Sequence, residues 1–148
     1  MNAPRILCRS IAVALCLQFP AWGSPVNNVE VAPGARVDVV FYTADDCEWC
    51  AKWKAHGRSD LLKRAETARF QYHEVVKKRI AEPYKKAHFD DSSGFAWKQL
   101  QAEQRYKFVI PRWVVFADGK KVVEGAGLYD WGRVDRFLGD VLAARDSK

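Results

Sequence analysis

An α/β fold, a mixed central sheet of about four strands flanked by helices, is what the order of apolar segments in this 148-residue sequence predicts. Three observations carry it. A short, β-branched, mostly apolar run at residues 37–42 passes into a segment with helical spacing from Glu48, and a second strand-like run follows at 70–76. Near the C-terminus, apolar runs at 113–116 and 122–123 flank Asp118-Gly119, the composition of a tight hairpin turn. After Gly125 and Gly127, the residues Val134, Phe137, Leu138, Val141 and Leu142 fall on one face of a final helix that Asp130 is suited to cap. A strand-helix-strand start implies a parallel pair joined by a right-handed crossover, and the closing hairpin adds antiparallel strands.

The remaining elements follow in order. Residues 24–35 contain Pro25, Asn27, Asn28, Pro33 and Gly34 and read as an extended lead-in. The 37–42 run has the composition of a strand buried on both faces, which makes it the central one. The segment 48–66 carries Cys50, Trp53, Leu61, Leu62 and Ala65 at helical spacing, with Gly57 marking a kink or break before Ser59-Asp60 restarts it. A basic, polar stretch covers 77–91. Ser92 or Ser93 then caps a helix running to about Lys107, with Trp97 and Leu100 facing inward.

The first 23 residues have the pattern of a secretory signal. Arg5 and Arg9 provide a positive start, 11–19 an apolar stretch too short to span a membrane, and Ala21-Trp22-Gly23 a small-x-small cleavage site, with cleavage expected after Gly23. Leu15 before Cys16 excludes a lipoprotein site. Removing 23 of the 148 residues leaves 125, enough for one domain at 36–148 and none beyond it. It also removes Cys8 and Cys16, leaving Cys47 and Cys50 as the only thiols. A single cysteine pair in an exported chain fits a compartment where disulfides are made and exchanged, here the periplasm. The 22 basic residues then remaining exceed the 18 acidic ones by four and alternate with apolar and acidic positions. A nucleic-acid footprint needs a stronger, clustered patch, so no nucleic-acid partner is expected.

Chemistry concentrates at Cys47-Glu48-Trp49-Cys50, between the first strand and the first helix. Two cysteines three apart at a helix start lie on one side of the first turn, within reach of a disulfide. The first meets the unpaired backbone N–H groups and the positive end of the helix dipole, which favour its thiolate. Competing readings are weaker. A static disulfide closing so short a loop restrains the unfolded chain little. Zinc needs four ligands, and His56, His73 and His88 stand in no paired motif. Haem attachment needs a histidine where Ala51 stands. No metal or organic cofactor is therefore expected, and the histidines are read as ordinary polar residues. Trp97, Trp113 and Trp131 are read as packing residues, while Trp49 is either a platform for substrate or packed on its own domain. Asp45, Asp46 and Glu48 surround Cys47 with negative charge that opposes its ionisation.

The dithiol after the first strand, Ile110-Pro111 before a later strand, and the Asp-Gly hairpin followed by glycines and a last helix together resemble the thioredoxin superfamily over residues 37–144. The resemblance implies a thiol-disulfide oxidoreductase with Cys47 attacking and Cys50 resolving. It implies a cis-proline at Pro111 lying against the dithiol, and backbone at Ile110 that pairs with a bound substrate. Electrons would pass to or from protein thiols and disulfides or a membrane redox protein. The chain departs from the pattern at three points. The family's buried acid falls on Phe41, or on Val40 if the alignment slips by one, so that proton acceptor is missing. Glu48-Trp49 matches none of the best-known branches. Residues 81–106 form an elaboration. A monomer acting as reductant or general exchange protein is expected; the alternatives are an oxidase, a dimeric isomerase, or an envelope binding module whose dithiol is incidental.

Overall fold

The computed structural model describes residues 30–127 and 131–147. The expected signal at 1–23, with Cys8 and Cys16, the first part of the lead-in and the Asp130 cap lie outside the described residues. The elements are β1 Val37–Ala44, α1 Glu48–His56, α2 Arg58–Ala68, β2 Gln71–Lys77, a 3-10 turn Lys86–His88, α3 Gly94–Ala102, β3 Arg112–Ala117, β4 Lys120–Ala126 and α4 Trp131–Asp146. The strands form one sheet in the order β2-β1-β3-β4, with β1 parallel to β2 and antiparallel to β3, and β3 antiparallel to β4.

All eight residues of β1 are buried, as its central place requires. Its side chains alternate between two layers. Val37, Val39 and Phe41 pack with α1, α2 and α4, while Val40 and Tyr42 pack with Tyr84, Ala96, Leu100, Val114 and Phe116 on the other face. The hairpin turns through Asp118 (φ 48°) and Gly119 (φ 73°), two successive left-handed residues that match the right-handed twist of the strands.

One expectation needs correction. The helix after Ser93 ends at Ala102 rather than near Lys107, because Gln104 turns into the left-handed region (φ 50°) and the Arg105 N–H closes onto the Leu100 carbonyl. Leu100 is buried as expected, and Trp97 packs half-buried against the same cluster, between Phe89 and Tyr106. The 48–66 helix breaks at Gly57 into α1 and α2.

An ion network fastens the elaboration to the hairpin. Glu124 on β4 accepts from Arg112, Lys121 (3.2 Å) and Arg105 (3.3 Å), and Lys121 also reaches Glu103 at the end of α3. Burial pushes the Glu124 carboxyl up, but the Arg112 hydrogen bond and the two nearby cations outweigh it and hold the group at about 2. A depressed carboxyl contributes stability that is complete above its unfolded value of 4.5 and is lost as pH falls towards about 2. Urea midpoints measured from pH 5 to pH 2.5 should therefore fall more steeply in the wild type than in Glu124→Gln. Parallel curves would remove this role for Glu124.

Candidate active site

Cys47 follows β1 by way of the turn Asp45-Asp46 and caps the N-terminus of α1 in extended conformation. Its Sγ accepts the Cys50 N–H at 3.1 Å and is bonded to the Cys50 Sγ, with the two Cα atoms 5.2 Å apart. Helix start and dithiol are thus one feature: the first turn offers an N–H to the sulfur that sequence order and the dipole both favour as thiolate. Both cysteines are buried in the disulfide form, Cys47 3% exposed and Cys50 1%.

The floor beneath the pair is aromatic. Phe41 stacks on Trp113 with ring centroids 4.0 Å apart and lies 4.6 Å from Trp53; Trp53 and Trp131 both contact Trp113, at 4.2 and 4.4 Å. Of the two positions where the resemblance places a buried acid, Phe41 puts a fully buried phenyl ring within the same apolar cluster as both cysteines, and Val40 lies in the cluster on the other face. The carboxylate next to Phe41 in register is Glu74 on β2, which lies opposite it and is held by Lys54 and Arg58.

The three acids named from the sequence flank Cys47 along the chain, and each already has a partner. Glu48 pairs with Lys52 at 2.7 Å, and that hydrogen bond holds its carboxyl below the usual range. Asp45 faces Lys78 at 3.4 Å, and Asp46 accepts the Ile80 N–H at 2.8 Å. Trp49 is 49% exposed with the Lys52 ammonium 4.4 Å from its ring centroid, so it stands at the surface rather than packing into the core. The Ile110–Pro111 bond is cis; Pro111 is buried, and Ile110 packs partly against both apolar clusters.

Sequence reasoning missed two buried polar residues. Lys77, read as the start of a solvated stretch, ends β2 and is 1% exposed; its ammonium donates to the Ile80 and Glu82 carbonyls at 2.9 and 2.7 Å and sits 4.5 Å from the Tyr84 ring centroid. Burial pulls that ammonium below the usual lysine range, against the pull of Asp46 and Glu82. His73, read as an ordinary polar residue, is buried with its Nε2 2.8 Å from Asp38, and its Nδ1 lies 3.3 Å from the Ser92 hydroxyl. The signal for Lys77 was its place in the alternation of His73 and Val75, visible only once the strand's end is known. Among the described residues no cluster of three or more His, Cys, Asp or Glu could hold a metal, and no helix is long and apolar enough to cross a membrane.

A mixed sheet in this order, with a Cys-x-x-Cys pair bonded at the start of the helix that follows its central strand, is the architecture that the resemblance implies. Solved structures similar to the chain include the periplasmic thioredoxin SoxS from Paracoccus pantotrophus, at 12% identity over 74% of this chain and 98% of that one, with a TM-score of 0.47. A thioredoxin from Fasciola hepatica shows 17% identity over 73% and 82% (TM-score 0.44), and a DsbH oxidoreductase 16% over 77% and 75% (TM-score 0.45). With identities of 12–17% and TM-scores below 0.5, these likenesses assign neither a family nor an activity. No family model and no curated protein matches the sequence.

Proposed function

We propose that the protein is a periplasmic thiol-disulfide oxidoreductase that works on protein thiols and disulfides as a reductant or general exchange protein. The observation that carries this reading is the Cys47 sulfur at the α1 N-cap, accepting the Cys50 N–H and bonded to Cys50. In the reducing direction the Cys47 thiolate attacks one sulfur of a substrate disulfide. A Cys47–substrate bond forms, the substrate S–S bond breaks, and the released thiolate takes up a proton. Cys50, having given up its proton, attacks the Cys47 sulfur; the intramolecular disulfide forms and the second substrate thiol leaves. Two electrons have passed from the dithiol to the substrate. Oxidation runs the same steps backwards.

Following the resemblance, Ile110 and Pro111, where the chain enters β3, are assigned to the substrate side, and the exposed Trp49 to its rim. Asp45, Asp46 and Glu48 tune the Cys47 thiolate. Their negative charge opposes an extremely low pKa, although Lys52 and Lys78 offset part of it. A thiolate stabilised less than that of a strong oxidant leaves the disulfide harder to reduce, which is the basis for the reducing or exchanging role. The export signal at 1–23 and the exchange chemistry point to the periplasm, with a membrane redox protein as one electron partner and the protein itself monomeric.

The test is turnover together with site labelling. The protein should accelerate disulfide reduction of a folded protein by dithiothreitol. In the reduced form, iodoacetamide at neutral pH should label Cys47 well before Cys50 in a peptide map. Faster labelling of Cys50 would reverse the roles; a dithiol-to-diserine variant that still complements a deletion strain would favour the binding module instead.

A further inference from the structure

Among the described residues four large apolar side chains are exposed: Trp49 (49%), Leu62 (37%), Ile80 (49%) and Val109 (69%). Single exposed apolar residues are ordinary on a protein surface. Three of these four, however, lie on segments tied to the dithiol or to one another: 78–84 is held to Asp46, and 106–110 is joined to 78–84 through Tyr84. Trp49 lies between the two cysteines. Ile80 is tied by its N–H to Asp46, the residue before Cys47. Val109 precedes Ile110-Pro111.

The Ile80 segment is built rather than loose. Lys77 gathers the carbonyls of Ile80 and Glu82 from inside the fold, and the Asp45 N–H donates to the Lys77 carbonyl at 3.0 Å. Tyr84 closes the loop by donating its N–H to Tyr106 (2.8 Å), stacking on Phe108 (5.0 Å) and donating its hydroxyl to the Thr43 carbonyl (3.0 Å). Loops 78–84 and 106–110 are thereby joined side by side. A buried ammonium is expensive to keep, and its hydrogen bonds hold the loop at two points, the carbonyls of Ile80 and Glu82.

The charge of the same rim has a sign. Its acids are engaged: Asp45 by Lys78, Asp46 by the Ile80 N–H and Glu48 by Lys52. Arg79 and Lys107, both exposed, have no acidic partner among the described residues. An incoming chain therefore meets apolar side chains next to free positive charge.

We infer that the loop 78–84 is a substrate-docking element for an extended polypeptide whose disulfide cysteine is flanked by an apolar residue and, close by, an acidic one. Ile80, with Trp49 and Val109, covers the apolar side chain, and Arg79 and Lys107 receive the carboxylate. This rests on the exchange activity proposed above and names its substrate class; Ile80 acts here as a specificity-determining residue.

The experiment compares three disulfides as substrates of the full reduced protein: hydroxyethyl disulfide, a cystine peptide with Leu and Glu beside its cysteine, and the same peptide with Ser and Lys. Partial burial of one apolar side chain and one new charge pair should give the Leu/Glu peptide an advantage of about tenfold or more in kcat/KM. Ile80→Ser and, separately, Val109→Ser should bring that ratio towards unity, and Arg79→Ser should remove the part of it that salt also removes. Equal rates for the two peptides in the wild type, or a ratio that Ile80→Ser leaves intact, would overturn the docking inference while leaving the exchange activity standing. Failure to exchange even hydroxyethyl disulfide would overturn both.

Discussion

Replacing Cys47 by serine is expected to reduce disulfide exchange to the uncatalysed background, a loss of about 1,000-fold or more, while Cys50→Ser stops the reaction one step later. The two losses differ in kind. Without Cys47 no bond to substrate forms, because the sulfur at the N-cap, the one that the helix start favours as thiolate, is gone. Without Cys50 the Cys47 thiolate still attacks, and the mixed disulfide persists for lack of a sulfur to break it. Mass spectrometry of each variant after mixing with a disulfide-bonded peptide checks this. Cys50→Ser should carry the peptide as an adduct and Cys47→Ser should not. An adduct on Cys47→Ser and none on Cys50→Ser would exchange the two roles.

The largest expected effect on stability belongs to Trp113. It is completely buried and touches Phe41, Trp53 and Trp131, so Trp113→Ala leaves a cavity that these three rings cannot fill without abandoning one another. A loss of about 3–5 kcal/mol in urea unfolding is expected, on the scale of other buried aromatic truncations. Trp113→Phe should cost far less. The indole Nε1 has no hydrogen-bond partner, so the substitution gives up packing and at the same time relieves a buried, unsatisfied donor. Equal losses for Ala and Phe would mean that the indole is not held by this cluster.

Legibility in the sequence followed the range of the interactions. The hairpin was readable because Asp118-Gly119 supplies two positive φ values by itself, and the helix from Trp131 because its apolar stripe repeats within a few residues. The dithiol was readable because cap, dipole and cysteine spacing all lie within one turn of helix. The end of α3 was not, because Gln104 enters the left-handed region where no glycine announces a stop. His73 was not, because the partner that makes its burial tolerable, Asp38, stands 35 positions away on β1. There Asp38 itself is pushed up by burial and pulled further down by hydrogen bonds from His73 and Arg36. Lys77 was hidden for a similar reason: the carbonyls that receive its ammonium belong to a loop whose path only the fold defines. The aromatic floor was half visible. Phe41 could be placed where the resemblance expects an acid, but its stack with Trp113 joins residues on different strands.

The most direct test of the account is the equilibrium of the Cys47/Cys50 couple with glutathione, followed by the change in tryptophan fluorescence that the adjacent Trp53 and Trp113 should provide. A redox-active dithiol whose thiolate is only moderately stabilised should equilibrate reversibly at a potential of about −200 mV or lower, in the range of reductants and exchange proteins. A couple that fails to equilibrate, or one that settles near the value typical of a strong oxidant (about −120 mV), would contradict it.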